Sequence, residues 1–233
     1  MRILQWTGRI GAVTAEALAH LDDTSVPSAR ARLSLATRRQ LLARHQLLSD
    51  RPVLYTVTRA GTRAAGLRGL DPARVSASNS LHTIACANAA AALQRCYPEQ
   101  SVVGERELRR DERRHGAPVA SAVLRHVGGH SPMLHRPDLV LCSSAPDRGR
   151  PIAVEVELTI KAPRRLEQIC RAWARSRDVS GVLYLTTPAV ERALRRAIER
   201  AHANERIVVL GLDALPLGSI ATSPIARSVP SQP

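Results

Sequence analysis

Three carboxylates lie in or beside two short apolar runs of the sequence. Asp138 comes directly before the run at 139–142, and Glu155 and Glu157 interrupt the run at 152–158. Alternate residues of a strand point to the same face, so the two glutamates lie side by side, and Asp138 joins them if the two strands pair. Carboxylates held this close repel one another unless protons or a cation compensate, and hard oxygen ligands suit Mg²⁺. The spacing therefore predicts a carboxylate cluster that binds a divalent metal ion.

The charge of the chain predicts a polyanionic partner. The 233 residues include 34 lysine and arginine residues against 20 acidic ones, which gives a net charge of +14. Cationic side chains release condensed counterions from nucleic acid, so this balance favours nucleic acid as the partner. Only 2% of the residues are aromatic, which disfavours single-strand binding by base stacking. Lys161 is the one lysine in the chain and follows Glu157 closely.

The cysteines and the hydropathy pattern exclude several classes of protein. The four cysteines form no CxxC pair and lack clustered histidine partners, so no zinc site is predicted. The N-terminus lacks the apolar core of a signal peptide, and no apolar run is long enough to span a bilayer. We therefore expect a cytoplasmic protein with no membrane partner.

Residues 1–70 are predicted to form a small helical unit that ends in a hairpin. Thr14 and Ser25 precede apolar-periodic stretches in the manner of helix N-caps. A hairpin with strands at 47–48 and 53–58 follows. Three short helices and a hairpin are typical of a winged helix-turn-helix, in which the last helix enters the DNA major groove and the wing contacts the backbone.

This unit carries half of the net charge, with eleven arginines against four acidic residues. The arginines predicted to contact DNA lie on the third helix and in the hairpin: Arg30, Arg32, Arg38, Arg39, Arg44 and Arg51. Winged helices also serve as protein–protein modules, so a protein partner is the alternative for this unit.

The rest of the chain is predicted to form one α+β domain. A linker at 71–79 leads to a domain at 80–215, and the segment 216–233, rich in proline and serine, is expected to be disordered. The predicted order is helix, three strands, helix, strand, helix, strand, which indicates a sheet packed by helices. The charged run at 105–115 is interpreted as a loop or the rim of a helix. His82, on the first helix, is interpreted as a hydrogen-bonded and partly buried histidine rather than a catalytic one.

The order of elements over 80–187 resembles that of the PD-(D/E)xK nuclease superfamily. The phrases that carry the resemblance are Pro137-Asp138 and Glu155-Val156-Glu157. The resemblance implies a nuclease-like core with a mixed sheet. It also implies that Asp138, Glu155 and the backbone carbonyl of Val156 bind Mg²⁺.

The remaining part of that motif differs from the usual pattern. Glu157 stands where the superfamily usually has lysine, as in some of its restriction endonucleases, where the glutamate can serve as a general base. Lys161 is then the residue left to stabilise phosphate charge. The acidic residue that the superfamily often carries on its first helix has no counterpart at 81–96, unless Glu105 or Glu107 replaces it.

The chain as a whole resembles the replication-relaxation family of actinobacterial and plasmid proteins, which join an N-terminal winged helix to a nuclease-like domain. The matching phrases lie at 51–61, 81–83, 104–108, 135–138 and 154–158, followed by Lys161. Gln40 stands where many such winged helices have glycine. The resemblance implies DNA binding connected with plasmid or mobile-element replication. Together with the nuclease-like motif, it leads to the hypothesis of a Mg²⁺-dependent endonuclease or nickase activity.

Two alternatives remain open from the sequence. The protein is a non-catalytic winged-helix regulator of transcription or copy number if its nuclease-like half is a scaffold or a dimerisation surface, and a homodimer is then expected. The three carboxylates could also be structural, exposed on an edge strand and paired with arginines such as Arg136 or Arg164.

Overall fold

The computed structural model describes residues 2–70, 72–125, 133–143 and 149–215. These residues form an α+β structure with eight α-helices and a mixed five-stranded sheet. The predicted disordered tail at 216–233 lies outside the described residues. Within them, no helix has both the length and the apolar character needed to cross a membrane.

The N-terminal part begins with three helices, of which the second and third have side-chain N-caps. Its elements are α1 (Arg2–Ile10), α2 (Ala15–Asp22), α3 (Val26–Arg38), β1 (Leu42–His45), β2 (Leu54–Val57) and α4 (Arg59–Ala64). The hydroxyl of Thr14 accepts a hydrogen bond from the N–H of Ala17, and that of Ser25 accepts one from the N–H of Ser28. Both predicted N-caps are therefore confirmed.

The hairpin of this part begins earlier than the sequence indicated. β1 contains Leu42, which is buried in the core of the N-terminal part, whereas the prediction placed the first strand at 47–48, in the connecting segment. The burial of Leu42 against the helices fixes the strand there. An antiparallel bridge between Val13 and Tyr55 adds a third short segment beside β2. Gln40 has a φ of 57°, in the left-handed region that favours glycine.

The second part of the chain alternates helices and strands as predicted, with two additions. Its elements are α5 (Ser80–Cys96), β3 (Gln100–Gly104), α6 (Glu105–His115), β4 (Ala122–Arg125), β5 (Met133–His135), β6 (Leu139–Ser143), β7 (Ile152–Glu157), α7 (Pro163–Arg175), β8 (Gly181–Thr186), α8 (Pro188–Arg200) and β9 (Ile207–Gly211). The run at 105–115, interpreted as a loop or helix rim, is a complete helix. Glu105 and Glu107 lie in its first turn and Arg113, Arg114 and His115 in its last, where each charge suits the helix dipole. β4 and β5 form the other addition, an antiparallel pair.

The five strands are arranged so that β7 lies in the middle of the sheet. Their order is β3-β6-β7-β8-β9, with antiparallel pairing from β3 to β7 and parallel pairing from β7 to β9. Residues of α7 and α8, including Trp173 and Leu194, pack on the face that contains Ala153. Helix α5 covers the opposite face, which contains Val154 and Val156.

Helix α5 also packs against the N-terminal part. Ala87 and Ala91 belong to the core formed by α1 to α4, whereas Ala89 and Leu93 belong to the core beneath the sheet. Because alanine is small, the helix can approach both layers closely. A salt bridge of 2.7 Å between Arg9 Nε and Glu107 Oε2 adds a second connection, from α1 to α6.

Candidate active site

The sheet brings the three predicted carboxylates to one end of the neighbouring strands β6 and β7. Asp138 immediately precedes β6, whose Leu139 pairs with Val154 of β7. Glu155 and Glu157 follow at the carboxyl end of β7 and are 5% and 6% exposed. Strand alternation places both glutamates on the α7 side of the sheet, since Val154 faces the core under α5.

Glu155 is held by two donors from outside its own strand. Its Oε1 atom lies 2.6 Å from Nε2 of His135 and accepts a hydrogen bond of 3.2 Å from Nε1 of Trp173. Burial raises the pKa of Glu155, His135 opposes that shift, and the nearby charge of Asp138 adds to it. The Glu155 carboxylate is therefore buried between His135, at the end of β5, and Trp173 of α7.

Glu157 forms an ion pair with the side chain of Lys161, just beyond the end of β7. Burial lowers the pKa of Lys161, and the charges of Glu155 and Asp138 oppose that shift. The side chain of Lys161 remains 38% exposed. The predicted lysine thus lies within the electrostatic reach of the predicted carboxylates, with its side chain partly exposed.

Asp138 connects β7 to helix α5. Its Oδ2 atom accepts a 2.8 Å hydrogen bond from the backbone N–H of Val156, the residue between the two glutamates. Its Oδ1 atom lies 3.0 Å from Nε2 of His82. This hydrogen bond raises the pKa of His82, although burial acts against it.

A third side chain completes a group that the sequence reading missed. The Sγ atom of Cys86 lies 3.4 Å from Nε2 of His82, and the ligand atoms of His82, Cys86 and Asp138 all lie within 4.8 Å of one another. Burial raises the pKa of the Cys86 thiol, and nearby carboxylates raise it further. The available sequence signal was the spacing of His82 and Cys86, because residues four apart share one helix face.

The edge-strand alternative for the carboxylates does not hold. β7 lies inside the sheet rather than at its edge, and Nε of Arg136 binds Oε2 of Glu112 at 2.8 Å. Glu105 and Glu107, the two candidates to replace the acidic residue of the superfamily's first helix, form ion pairs elsewhere. Glu105 pairs with Arg109, and Glu107 pairs with Arg9 and Arg110. His82 is the α5 side chain that contacts Asp138.

The six predicted DNA-binding arginines divide into two groups. Four have polar partners nearby: Arg30 with Glu16 at 3.9 Å, Arg32 with Asp22 at 2.6 Å, Arg44 with Gln46 at 3.3 Å and Arg51 with Asp50 at 3.2 Å. Arg38 and Arg39, at the end of α3, are exposed and have no ion pair with another described residue. The carboxyl end of α3 is therefore where guanidinium groups are available to a phosphate.

Comparisons of the chain with protein-family models, with curated proteins and with solved structures give no match.

Proposed function

We propose that the protein is a Mg²⁺-dependent DNA endonuclease or nickase of the replication-relaxation type, with a winged helix that binds double-stranded DNA and a PD-(D/E)xK nuclease-like core. The observation that carries the proposal is the hydrogen bond of 2.8 Å from the Val156 N–H to Asp138. It fixes one carboxylate against the middle of a Glu-x-Glu sequence on a neighbouring strand. The superfamily motif requires this juxtaposition.

The arrangement of elements supports both halves of the proposal. The run α5, β3, β6, β7, α7, β8 contains the helix, three strands, helix and strand of the nuclease-like core, with α6 and the β4–β5 pair inserted. Helices α1 to α3, the hairpin and the bridge between Val13 and Tyr55 supply the parts of a winged helix. The exposed Arg38 and Arg39 give its third helix a basic end.

The donor types, two carboxylates and one backbone carbonyl, suit a hard divalent cation. Asp138, Glu155 and the carbonyl of Val156 would hold Mg²⁺, which takes oxygen ligands. When bound, the ion would polarise the phosphodiester and lower the pKa of the attacking water. His135 and Trp173 orient the carboxylate of Glu155.

Glu157 and Lys161 supply the remaining chemistry. Glu157 is the next carboxylate along the same strand face and accepts the proton of the attacking water. Lys161 neutralises Glu157 in the free protein and, because its side chain is 38% exposed, can turn toward the phosphate of bound DNA. The pair thus holds a base and a cation close to the scissile bond.

The test is conversion of supercoiled plasmid to open circles with Mg²⁺. Asp138→Ala and Glu155→Ala are each expected to lower the rate by at least about 100-fold. Glu205→Ala, which removes an exposed acid remote from the site in the chain, is the matched control and should retain full activity. Equal rates for all four proteins would exclude this site.

A non-catalytic DNA-binding regulator is the second candidate, and one observation favours it. Both glutamates already have partners within the chain, since His135 and Trp173 bind Glu155 and Lys161 binds Glu157. Such a site is electrically compensated without metal. This candidate predicts salt-dependent DNA binding that survives Asp138→Ala, no nicking with Mg²⁺, and a nuclease-like half that acts as a scaffold or homodimer surface.

A further inference from the structure

We propose that His82, Cys86 and Asp138 form a binding site for a borderline transition-metal ion of the Zn²⁺ class. The three side chains offer one nitrogen, one sulfur and one oxygen atom within 4.8 Å of one another. The site shares Asp138 with the proposed Mg²⁺ ligands, and its other two ligands lie on α5.

Two of the three distances between ligand atoms are close to those of a tetrahedral zinc site. Nε2 of His82 lies 3.0 Å from Oδ1 of Asp138 and 3.4 Å from Sγ of Cys86. With ordinary zinc bond lengths and tetrahedral angles, ligand atoms of these types lie about 3.4 Å and about 3.6 Å apart. For these two pairs an ion at the centre requires side-chain movements of only a few tenths of an ångström, and the ligand atoms of Asp138 and Cys86, which lie within 4.8 Å of each other, would move closer together.

The three ligands are fixed by the elements that carry them. His82 and Cys86 lie four residues apart within α5, a helix that runs from Ser80 to Cys96, and so share one face. Asp138 is anchored through its other oxygen by the Val156 N–H, which leaves Oδ1 directed at the helix. Little ordering is left to occur when an ion binds.

The donor chemistry distinguishes this site from a magnesium site. Thiolate and imidazole ligands select zinc and related ions, whereas Mg²⁺ takes oxygen ligands. A thiolate and a carboxylate together balance the two positive charges of the ion. Three protein ligands leave a fourth position open, as in catalytic zinc sites, and the His82 side chain is 43% exposed, which gives an ion access.

The sharing of Asp138 has a consequence that rests on the proposed function. An ion held by His82 and Cys86 occupies the carboxylate that Mg²⁺ needs. Zn²⁺ would therefore inhibit Mg²⁺-dependent nicking, and removal of Cys86 would weaken that inhibition.

Cobalt is the probe, because a thiolate bound to Co²⁺ gives a charge-transfer absorption band and tetrahedral Co²⁺ gives intense visible bands. The full-length, fully reduced protein is titrated with Co²⁺, followed by Zn²⁺. The wild type is expected to show a saturable band that Zn²⁺ removes. Cys86→Ser should lose the charge-transfer band, and His82→Gln should bind Co²⁺ at least about ten-fold more weakly.

Cys96→Ser is the matched control, because Cys96 is an exposed thiol on the same helix and should leave the spectrum unchanged. As a second measurement, Zn²⁺ should raise the Tm of the wild type and of Cys96→Ser but not that of a folded Cys86→Ser. A wild type without the thiolate band, or a Cys86→Ser variant that keeps it, would overturn the site. Nicking with Mg²⁺ is scored separately: a band without nicking refutes only the nuclease, and nicking without a band refutes only this site.

Discussion

Two buried glutamates near the sheet face different cations, and this difference yields a direct test of the site. Glu155 is 5% exposed and binds His135 and Trp173, whereas Glu112 is 4% exposed and binds Arg136. Histidine gives up its proton near neutral pH, but arginine stays charged at any pH at which the protein is folded. Replacement of each glutamate with glutamine should therefore have different effects.

For Glu155→Gln we expect a free energy of unfolding within about 1 kcal/mol of the wild type, or higher. Burial raises the pKa of Glu155, so the stability linked to its protonated form is present below its ordinary pKa of 4.5 and lost as the pH rises through the folded-state pKa. At mildly alkaline pH the ionised side chain is thus a cost that the amide lacks. The amide oxygen can still accept a hydrogen bond from the indole of Trp173.

Glu112→Gln should be far more damaging. It leaves Arg136 charged and unpaired, with a side chain only 24% exposed. Breaking a buried pair in this way costs about 3 kcal/mol. For a chain of this size, such a loss lowers the Tm by about 6–12 °C.

The assay combines thermal and denaturant unfolding at mildly alkaline pH with plasmid nicking. Glu155→Gln should be as stable as the wild type yet at least about 100-fold less active, and Glu112→Gln should be destabilised. If Glu155→Gln loses as much stability as Glu112→Gln, Glu155 is a structural ion-pair partner and the reasoning is wrong.

Three further outcomes are expected. Gly104→Ala should destabilise the fold by about 1–3 kcal/mol in chemical denaturation, because its Cβ would lie 2.6 Å from a carbonyl oxygen of α1. Gly181→Ala is the control and should be nearly neutral, because its Cβ would lie 3.5 Å from its nearest neighbour. Because its pKa is raised, the ion pair of His82 with Asp138 stabilises the fold below pH 6.5, and this stabilisation is lost as the pH rises above that value. The stability difference between the wild type and His82→Gln should therefore shrink toward alkaline pH. A difference that grows would contradict the pairing. Arg38→Ala and Arg39→Ala should each weaken DNA binding and reduce the slope of log affinity against log salt by about 1, and unchanged slopes in a binding titration would remove the end of α3 from the DNA interface.

Local chemistry explains which parts of the structure the sequence predicted well. Thr14 and Ser25 could be identified as caps because a hydroxyl before an apolar-periodic stretch satisfies N–H groups of its own helix. The shared face of Glu155 and Glu157 followed from strand alternation alone. These features depend on a few neighbouring residues.

The errors arose where distant packing decides the structure. The high charge of the run at 105–115 predicts a loop or the rim of a helix, but buried Leu108 and Glu112 hold one face of a complete helix against the structure. The first strand of the hairpin was misplaced because the burial of Leu42 depends on the helices before it. The contact of His82 with Asp138 joins residues 56 positions apart, and no spacing rule within a helix could reveal it.

The two-sided packing of α5 has a consequence for cooperativity. Ala87 and Ala91 pack in the core of the N-terminal part, and Ala89 and Leu93 pack in the core beneath the sheet. Separation of either part would therefore expose one apolar face of the same helix to water. Unfolding should then proceed in one transition rather than two, and the backbone amides of α5 should exchange with solvent only through global opening. The helix that carries His82 is also the helix against which the N-terminal part packs. A displacement of the N-terminal part would therefore act on α5 directly, through the packing of Ala87 and Ala91.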